Sequence, residues 1–313
     1  MVALSECKDS NKISTDFPNN YIWDLTFFDK RVSITVIEHI NEAHKWAEEA
    51  HSEGLTIGFV PTMGALHAGH RSLIELALEQ CDRVIASIYV NPTQFNNPDD
   101  LKKYPRTPEA DLLLLERSGC HAVFCPSTEE LYTSGELPSQ WDYGTLSHSL
   151  EGYFRPGHFN GVLTIVKKLF LAVTPDKAFF GEKDFQQLAL IRRMTIDEQL
   201  PIEIIAAPTI RESDGLAMSS RNMRLNPEER TIALNISRIL LAAHRNGRSK
   251  TPSELLQNAT EALSEVKNLR TEYCALVLAS NLQPVKVWPK EPCVLLVAAF
   301  VGDIRLIDNV IIS

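Results

Sequence analysis

Two histidines, His67 and His70, stand in a segment whose flanking residues can bring them against a phosphate. Residues 55–60 form an apolar, partly β-branched run that predicts a buried strand, and residues 71–78 show helical spacing of their apolar side chains. The two imidazoles therefore lie where a loop enters a helix, and a helix N-terminus offers free N–H groups and positive dipole charge to an anion. Gly64 and Gly69 let the backbone approach a ligand closely.

Imidazole N–H groups at that point can donate hydrogen bonds to phosphoryl oxygens as negative charge builds up. The alternative is that His67 and His70 are ordinary surface or capping histidines, because so short a motif has little specificity. The sequence has neither the Walker A pattern nor the GxGxxG fingerprint of dinucleotide-binding folds. The strand–loop–helix setting favours nucleotide binding by a different motif.

A second strand-to-helix turn holds Gly181, Glu182, Lys183 and Asp184. Lys183 can act as a point charge on a phosphate, and Gly181 permits close approach. The alternative is an exposed helix cap with Asp184 as the N-cap residue. Together with the histidine motif, this turn favours a site.

A predicted loop at residues 208–226 contains Ser219, Ser220 and Arg221. Two hydroxyls and a guanidinium suit the outer phosphates of a nucleotide. The alternative is an ordinary polar loop, but the surrounding string at residues 211–222 is long and specific, which favours a phosphate-binding loop.

Neutral amides stand near predicted strand ends, where open parallel sheets bind their ligands. Gln94 and Gln187 can contact hydroxyl and carboxylate groups without adding charge, and loop-stabilising hydrogen bonds are a fair alternative for Asn91. Tyr104 lies either in a simple turn or against the pocket. Arg155 lies either in a structural turn or where its guanidinium meets a carboxylate or phosphate.

The elements that must position these residues alternate along the chain. Predicted helices span residues 34–53, 71–78, 109–118, 162–173 and 185–199, and predicted strands span residues 55–60, 83–90, 122–125, 177–180 and 202–207. Such alternation indicates an α/β fold with a doubly wound parallel sheet. Residues 127–158 are rich in turn formers and predict a surface loop.

The pattern changes near Thr209. Helical stretches at residues 227–245 and 253–267 lead into β-rich runs at residues 273–278, 285–288 and 294–301, which indicates a smaller α+β domain. We therefore expect three parts: an N-terminal extension at residues 1–33, a nucleotide- and substrate-binding domain at residues 34–209, and a C-terminal domain at residues 210–313.

Composition excludes several classes of protein. The formal net charge of −9 over 313 residues argues against a general nucleic-acid binder, which needs a basic surface. The six cysteines show neither CxxC pairs nor metal-ligand spacing, which favours free thiols in a reducing compartment. We expect no membrane span, because every apolar run is far shorter than ~20 residues. Residues 1–33 lack the apolar stretch of a secretory signal, and a cytoplasmic location is expected.

Residues 61–70, Pro-Thr-Met-Gly-Ala-Leu-His-Ala-Gly-His, resemble the HxGH signature of the nucleotidyltransferase superfamily. The longer string, followed in order by residues 181–184 and 217–222, resembles the pantothenate synthetase (pantoate–β-alanine ligase) family. Residues 153–154, Tyr-Phe, are bulkier than the usual family pattern, which affects only the local loop.

The resemblance implies a Rossmann-like fold and an ATP-dependent ligase. The carboxylate of (R)-pantoate attacks the α-phosphate of ATP to give pantoyl adenylate and pyrophosphate. The amine of β-alanine then attacks the activated carbonyl to give pantothenate and AMP. The resemblance also implies a homodimer and Mg²⁺ on the triphosphate, although it identifies no protein ligand for the metal.

The same resemblance assigns site residues. His70 is the first catalytic candidate, with His67 and Lys183 beside it. Gln94 and Gln187 are assigned to pantoate, with Gln94 also near β-alanine. The residues assigned to ATP are Met63, Gly64, Ala65, Leu66, His67, Ala68, Gly69, His70, Gly181, Glu182, Lys183, Asp184, Ile210, Met218, Ser219, Ser220 and Arg221.

Two alternatives stay open at this point. Another nucleotidyltransferase, such as a cytidylyltransferase, would share the histidine motif but would give no reason for Gln94 and Gln187. An inactive relative acting as a binding module would not need the intact set of His67, His70, Lys183 and Arg221.

Overall fold

A six-stranded parallel sheet organises the first part of the chain in this computed structural model, which describes residues 34–313. The predicted N-terminal extension lies outside the described residues. The strands follow the spatial order β1-β4-β3-β2-β5-β6. They are β1 (Thr35–Ile37), β2 (Ile57–Thr62), β3 (Arg83–Ile88), β4 (Ala122–Phe124), β5 (Lys177–Gly181) and β6 (Glu203–Ala207).

Helices cover both faces of this sheet, which explains the nearly continuous apolar character of β2 and β3. On one face pack α1 (Ile40–Ser52), α8 (His158–Val173) and α9 (Phe185–Asp197). On the other pack α2 (Ala68–Gln80) and α4 (Pro108–Arg117). The shorter helices are α3 (Pro98–Lys103), α5 (Thr128–Leu131), α6 (Thr145–His148) and α7 (Glu151–Phe154). The predicted doubly wound α/β fold is confirmed.

The strand order reverses between β2 and β5. From β2 the chain moves outward through β3 and β4, and β5 then pairs with β2 on its other side. In sheets of this kind the crevice outside the carboxyl ends of the strands at the reversal is where ligands bind. The turns that follow β2 and β5 therefore face one another across this crevice.

A separate three-stranded antiparallel sheet follows, in the order β7-β8-β9. Its strands are β7 (Leu269–Leu278), β8 (Cys293–Val301) and β9 (Ile304–Ile312), and α10 (Pro227–Asn246) and α11 (Pro252–Ser264) pack against it. This smaller C-terminal domain was expected, whereas its boundary near Thr209 stays a prediction. No helix within residues 34–313 is both long and apolar enough to cross a bilayer.

Several predicted elements were wrong in extent. The segment predicted as one helix at residues 34–53 contains two elements. The strand β1, which pairs with β4, comes first, and α1 follows it. The surface loop expected at residues 127–158 contains α5, α6 and α7. These four-residue helices are too short to show a helical period. α5 also begins after a residue that is common in turns, Ser127, whose side chain accepts a hydrogen bond from the Glu130 N–H.

The β-rich run at residues 285–288 is not a strand. Val287 is 80% exposed, and pairing with β7 next to this run consists of an isolated bridge between Pro284 and Val277, with the Val285 N–H donating to the Leu276 carbonyl at 3.1 Å. The third strand is instead β9, which follows β8 through a tight turn at Gly302, where φ is +54°. Residues 304–312 were not assigned from the sequence, because their buried charged and amide side chains interrupt the apolar pattern.

Candidate active site

The turn after β2 is fixed by hydrogen bonds to the buried carboxylate of Asp111. Gly64 and Ala65 have φ values of +76° and +50°, which turn the chain sharply toward α2. The Asp111 carboxylate, only 2% exposed, accepts hydrogen bonds from the Ala65 N–H at 2.9 Å and the Leu66 N–H at 2.7 Å. A Cβ on Gly64 would lie 2.9 Å from Asp111, so glycine is the residue that fits. Asp111 therefore sets the course of the loop that delivers His67.

His67 and His70 form a reciprocal cap on α2. His67 Nδ1 accepts from the Gly69 N–H at 3.2 Å, and His70 Nδ1 accepts from the His67 N–H at 3.3 Å. An imidazole nitrogen that accepts an N–H carries no proton, so each neutral ring bears its proton on Nε2. The ring centroids lie 4.1 Å apart. The capping alternative and the ligand-binding interpretation are thus compatible, because capping uses Nδ1 and leaves Nε2–H as a donor.

Burial keeps both rings neutral. Desolvation, with the positive charge of Lys183 as a further cause, lowers the pKa of His67 to about 4. Desolvation, His67 and Lys183 together lower the pKa of His70 to about 3. Two neutral N–H donors at a helix N-terminus suit an anion whose charge grows during a reaction.

The turn after β5 brings Lys183 to the same place. Its Nζ lies 3.8 Å from the Asp184 carboxylate, and its side chain is 18% exposed. Asp184 precedes α9 but makes no capping hydrogen bond with its side chain, which argues against the simple cap alternative. Lys183 lines the same cavity as His67 and His70, and its positive charge contributes to lowering the pKa of both.

The loop before α10 reaches the crevice as well. Ser219 Oγ accepts from the Arg221 N–H at 3.3 Å, and Ser220 Oγ donates to the Tyr104 hydroxyl oxygen at 3.3 Å. Arg221 donates to the Asp100 carboxylate at 2.8 Å, and Arg224 binds the other oxygen of the same group at 3.0 Å. An Arg221 that binds phosphate must therefore share or leave Asp100.

Gln94 is fixed by its neighbours. Its Oε1 accepts from Asn91 Nδ2 at 3.2 Å, its Nε2 lies 3.0 Å from the Met63 sulfur, and its carbonyl accepts from His158 Nδ1 at 2.8 Å. Asn91 is itself held by the Gly161 carbonyl at 3.1 Å. Asn91 thus has the loop-stabilising role left open above. Its hydrogen bond to Gln94 Oε1 also fixes the orientation of the Gln94 amide.

One cavity of about 230 Å³ brings most of the predicted residues together. A second space of about 540 Å³ extends from it toward the C-terminal sheet and shares Lys183, Asp184, Ser219 and Arg221 with it. The predicted residues that line the smaller cavity are Met63, His67, Gly69, His70, Gln94, Gly181, Lys183, Asp184, Gln187, Ile210, Met218, Ser219, Ser220 and Arg221. Gly64, Ala65, Leu66, Ala68 and Glu182 do not line it. The assignment of both groups to ATP and substrate stays a prediction.

Sequence reasoning missed three residues that shape the site: Asp111, Asp100 and Asn309. Asn309 Nδ2 donates to the carbonyls of Glu182 at 3.0 Å and Lys183 at 2.9 Å. Each acts over more than forty positions of sequence, so no local motif indicates it. The one available signal is polarity inside an apolar stretch, as for Asn309 within β9. Arg155, left open above, lies 3.5 Å from buried Glu151 and lines the larger space.

A family model described as Pantoate-beta-alanine ligase matches residues 35–311. The chain belongs to this family. A pantothenate synthetase of Porphyromonas gingivalis is 50% identical over 262 residues, which are 83% of this chain and 93% of the relative. One from Bacteroides fragilis is 47% identical over 88% of this chain and 98% of the relative.

Solved structures of the ligase family agree with the fold. Pantothenate synthetase from Thermus thermophilus superposes with a TM-score of 0.82 at 40% identity, covering 88% of this chain and 99% of that one. Pantoate-beta-alanine ligase from Francisella tularensis, in complex with beta-gamma ATP and beta-alanine, has a TM-score of 0.74 at 35% identity, with coverage of 88% and 97%. The resemblance drawn from residues 61–70 is thereby confirmed.

Proposed function

We propose that the crevice between β2 and β5 carries out the ligase reaction of the family with the residues assigned below. The reaction is the ATP-dependent condensation of (R)-pantoate with β-alanine to pantothenate, AMP and pyrophosphate. One observation supports this most strongly: two neutral histidines, a lysine and two glutamine amides line a single cavity at the reversal of strand order. That set combines donors for phosphate with uncharged groups for a hydroxy acid.

In the first step, a pantoate carboxylate oxygen bonds to the α-phosphorus, and the bond from that phosphorus to the bridging oxygen breaks, which releases pyrophosphate. Nε2–H of His67 and of His70 donates to phosphoryl oxygens, and Lys183 adds a positive charge next to them. All three act without gaining or losing a proton. Their contribution is stabilisation of the charge that develops on the phosphates.

Ser219, Ser220 and Arg221, which line the same cavity, complete the proposed phosphate site. For Arg221 this requires exchange of the Asp100 carboxylate for phosphate oxygens, which present a similar planar pair of acceptors. Asp100 thus holds the guanidinium close to the place where it is needed.

In the second step, the nitrogen of β-alanine bonds to the pantoyl carbonyl carbon, AMP leaves with the former carboxylate oxygen, and the amine gives up a proton. Gln94 and Gln187 orient the pantoyl group through its hydroxyl and carbonyl oxygens. Proximity of the two reactants is sufficient for this step, because the adenylate already has a good leaving group. None of the cysteines is assigned a role.

Mg²⁺ bound to the triphosphate is part of the proposal. Among the described residues, 34–313, no group of three or more histidine, cysteine or acidic side chains is arranged as a metal site. Mg²⁺ commonly binds through one or two carboxylates together with substrate phosphates, and Asp184 beside Lys183 is the carboxylate placed to contribute. When bound, the metal supplies charge neutralisation on the phosphates.

The first step can be measured alone. Pantoate-dependent exchange of labelled pyrophosphate into ATP, without β-alanine, is expected for an adenylating enzyme. Exchange that proceeds equally without pantoate, or with CTP in place of ATP, would contradict the proposal. The homodimer and the cytoplasmic location stay predictions, and light scattering of the purified chain tests the first.

A further inference from the structure

Two adjacent residues of β9, Asp308 and Asn309, connect the C-terminal sheet to the proposed phosphate site. Both are buried, at 4% and 5% exposure. The Asn309 amide donates to two successive carbonyls, those of Glu182 and Lys183, at 3.0 and 2.9 Å. These carbonyls belong to the turn that carries the Lys183 side chain. Both N–H bonds of one amide are therefore used on that single turn.

Asp308 contacts the second phosphate element. Its carboxylate accepts two parallel hydrogen bonds from Arg211, at 2.7 and 3.0 Å, and a third from the Ser237 hydroxyl at 3.0 Å. Arg211 pairs with Ala217 in an isolated bridge, immediately before the segment that contains Ser219 and Arg221. A bidentate arginine–carboxylate pair is strongly directional, so it fixes where that segment begins.

The two contacts are themselves joined. Asp308 Oδ1 accepts from the Asn309 backbone N–H at 2.8 Å, and Arg211 donates to the Asn309 carbonyl at 3.4 Å. Two adjacent residues thus hold both elements: the Asn309 side-chain amide binds the Lys183 turn, and the Asp308 carboxylate binds Arg211. The parallel sheet pairs the strands that precede these two elements as far as Gly181 and Ala207, and the contacts of Asp308 and Asn309 connect the chain beyond that point.

We propose that Asn309 is a positioning residue that sets Lys183 against the nucleotide phosphates, and that Asp308 sets the Ser219–Arg221 segment in the same way through Arg211. The proposal rests on the phosphate-binding role assigned above to Lys183. Displacement of a catalytic group by about 1 Å can cost about a hundredfold in rate, so a connection of this kind has measurable consequences. Asn309 contacts neither phosphate nor substrate in this proposal and acts only through Lys183.

A double-mutant cycle on ATP binding tests the proposal. We would measure the Kd for ATP by calorimetry in the full-length chain and in the variants Asn309→Ala, Lys183→Ala and the double variant. We expect Asn309→Ala to weaken ATP binding by about tenfold in the wild-type background and by less than about twofold once Lys183 is absent. Pantoate binding should be unchanged throughout. A purely structural role would instead give the same loss in both backgrounds.

Two further variants keep the test decisive. Asn309→Ser retains one hydroxyl donor and should show an intermediate loss of ATP affinity. This variant replaces Asn309→Ala in the cycle if the alanine variant fails to fold. Asn235→Ala is the matched control, because the Asn235 amide likewise donates to two carbonyls, those of Thr231 and Ile232 within α10, away from the site. Wild-type pyrophosphate exchange tests the proposed function separately. With exchange intact, an unchanged Kd in the Asn309 variants would overturn this inference alone.

Discussion

The backbone N–H of His67 donates a hydrogen bond to Nδ1 of His70 across 3.3 Å. This contact links the capping of α2 to the chemistry of the site, because it specifies which ring nitrogen carries the proton. The Gly69 N–H does the same for His67. A helix cap thereby supplies two neutral imidazoles of one defined tautomer, each with Nε2–H as its available donor.

The first prediction concerns pH. Because the pKa values of His67 and His70 are lowered to about 4 and about 3, both rings stay neutral from about pH 5.5 upward. His70→Gln keeps an N–H donor near the Nε2 position, so its profile of kcat/KM for ATP should run parallel to the wild-type profile, at a lower level. A wild-type ionisation near pH 6.5 that disappears in His70→Gln would show that protonated His70 matters instead. His70→Ala, which lacks a donor, should lose more activity.

The second prediction concerns Lys183. Lys183→Ala should abolish pantoate-dependent pyrophosphate exchange and leave the fold intact, because the side chain is a cation that lines the cavity, 3.8 Å from the Asp184 carboxylate. Lys177→Ala is the matched control. This lysine begins β5, the strand that leads into the Lys183 turn, and it pairs with Glu203 at 3.4 Å. Near-normal exchange by Lys183→Ala at saturating ATP would remove Lys183 from the site.

The third prediction concerns Gln94. Its Oε1 and carbonyl are occupied by Asn91 and His158, so the amide is aimed at the cavity. Gln94→Ala should weaken pantoate binding by roughly tenfold to a hundredfold, since an unpaired buried polar group costs ~1–3 kcal/mol, and should leave ATP binding unchanged. Calorimetry with each ligand separately provides the measurement, with exposed Gln140→Ala as the control. Loss of ATP binding with pantoate binding retained would reassign Gln94 to the nucleotide.

The fourth prediction concerns stability. Burial, with the charge of Arg155 as a further cause, lowers the pKa of His158 to about 3 from 6.5. The unfolded chain therefore binds this proton more readily than the folded chain. The contribution of the neutral His158 ring to the free energy of unfolding is fully present above pH 6.5. It is lost as pH falls toward 3, by up to about 1.4 kcal/mol per pH unit.

Urea unfolding at several pH values tests this. His158→Asn retains a donor for the Gln94 carbonyl but cannot titrate, so its free energy of unfolding should fall less steeply below about pH 6.5 than that of the wild type. Equal slopes in the two proteins would contradict the assigned pKa of His158.

The sequence permitted prediction of those parts of the site that are contiguous in the chain. The strand, the turn and the helix around His67 lie within about two dozen residues, so their spacing alone indicates how the imidazoles are placed. The same holds for the Lys183 turn. The reversal of strand order, which brings the two turns together, follows from pairing between β2 and β5 and needs the structure.

Long-range supports could not be predicted. Asp111 reaches back to Ala65, and Asn309 reaches back to Lys183, over separations of 46 and 126 residues. At such distances an isolated Asp or Asn has no spacing rule to mark it. The strand β9 was also missed for this reason. Asp308 and Asn309 interrupt its apolar pattern, although both side chains are buried in the structure.

In the proposed reaction, a pantoate carboxylate oxygen attacks the α-phosphate of ATP. Pantoate labelled with oxygen-18 in its carboxylate tests it most directly, by mass spectrometry of the products of one turnover with ATP and β-alanine. We predict one labelled oxygen in AMP and none in pyrophosphate, because the attacking oxygen stays bonded to the α-phosphorus and leaves with AMP. Label in pyrophosphate, unlabelled AMP, or AMP formed without pantoate would contradict it.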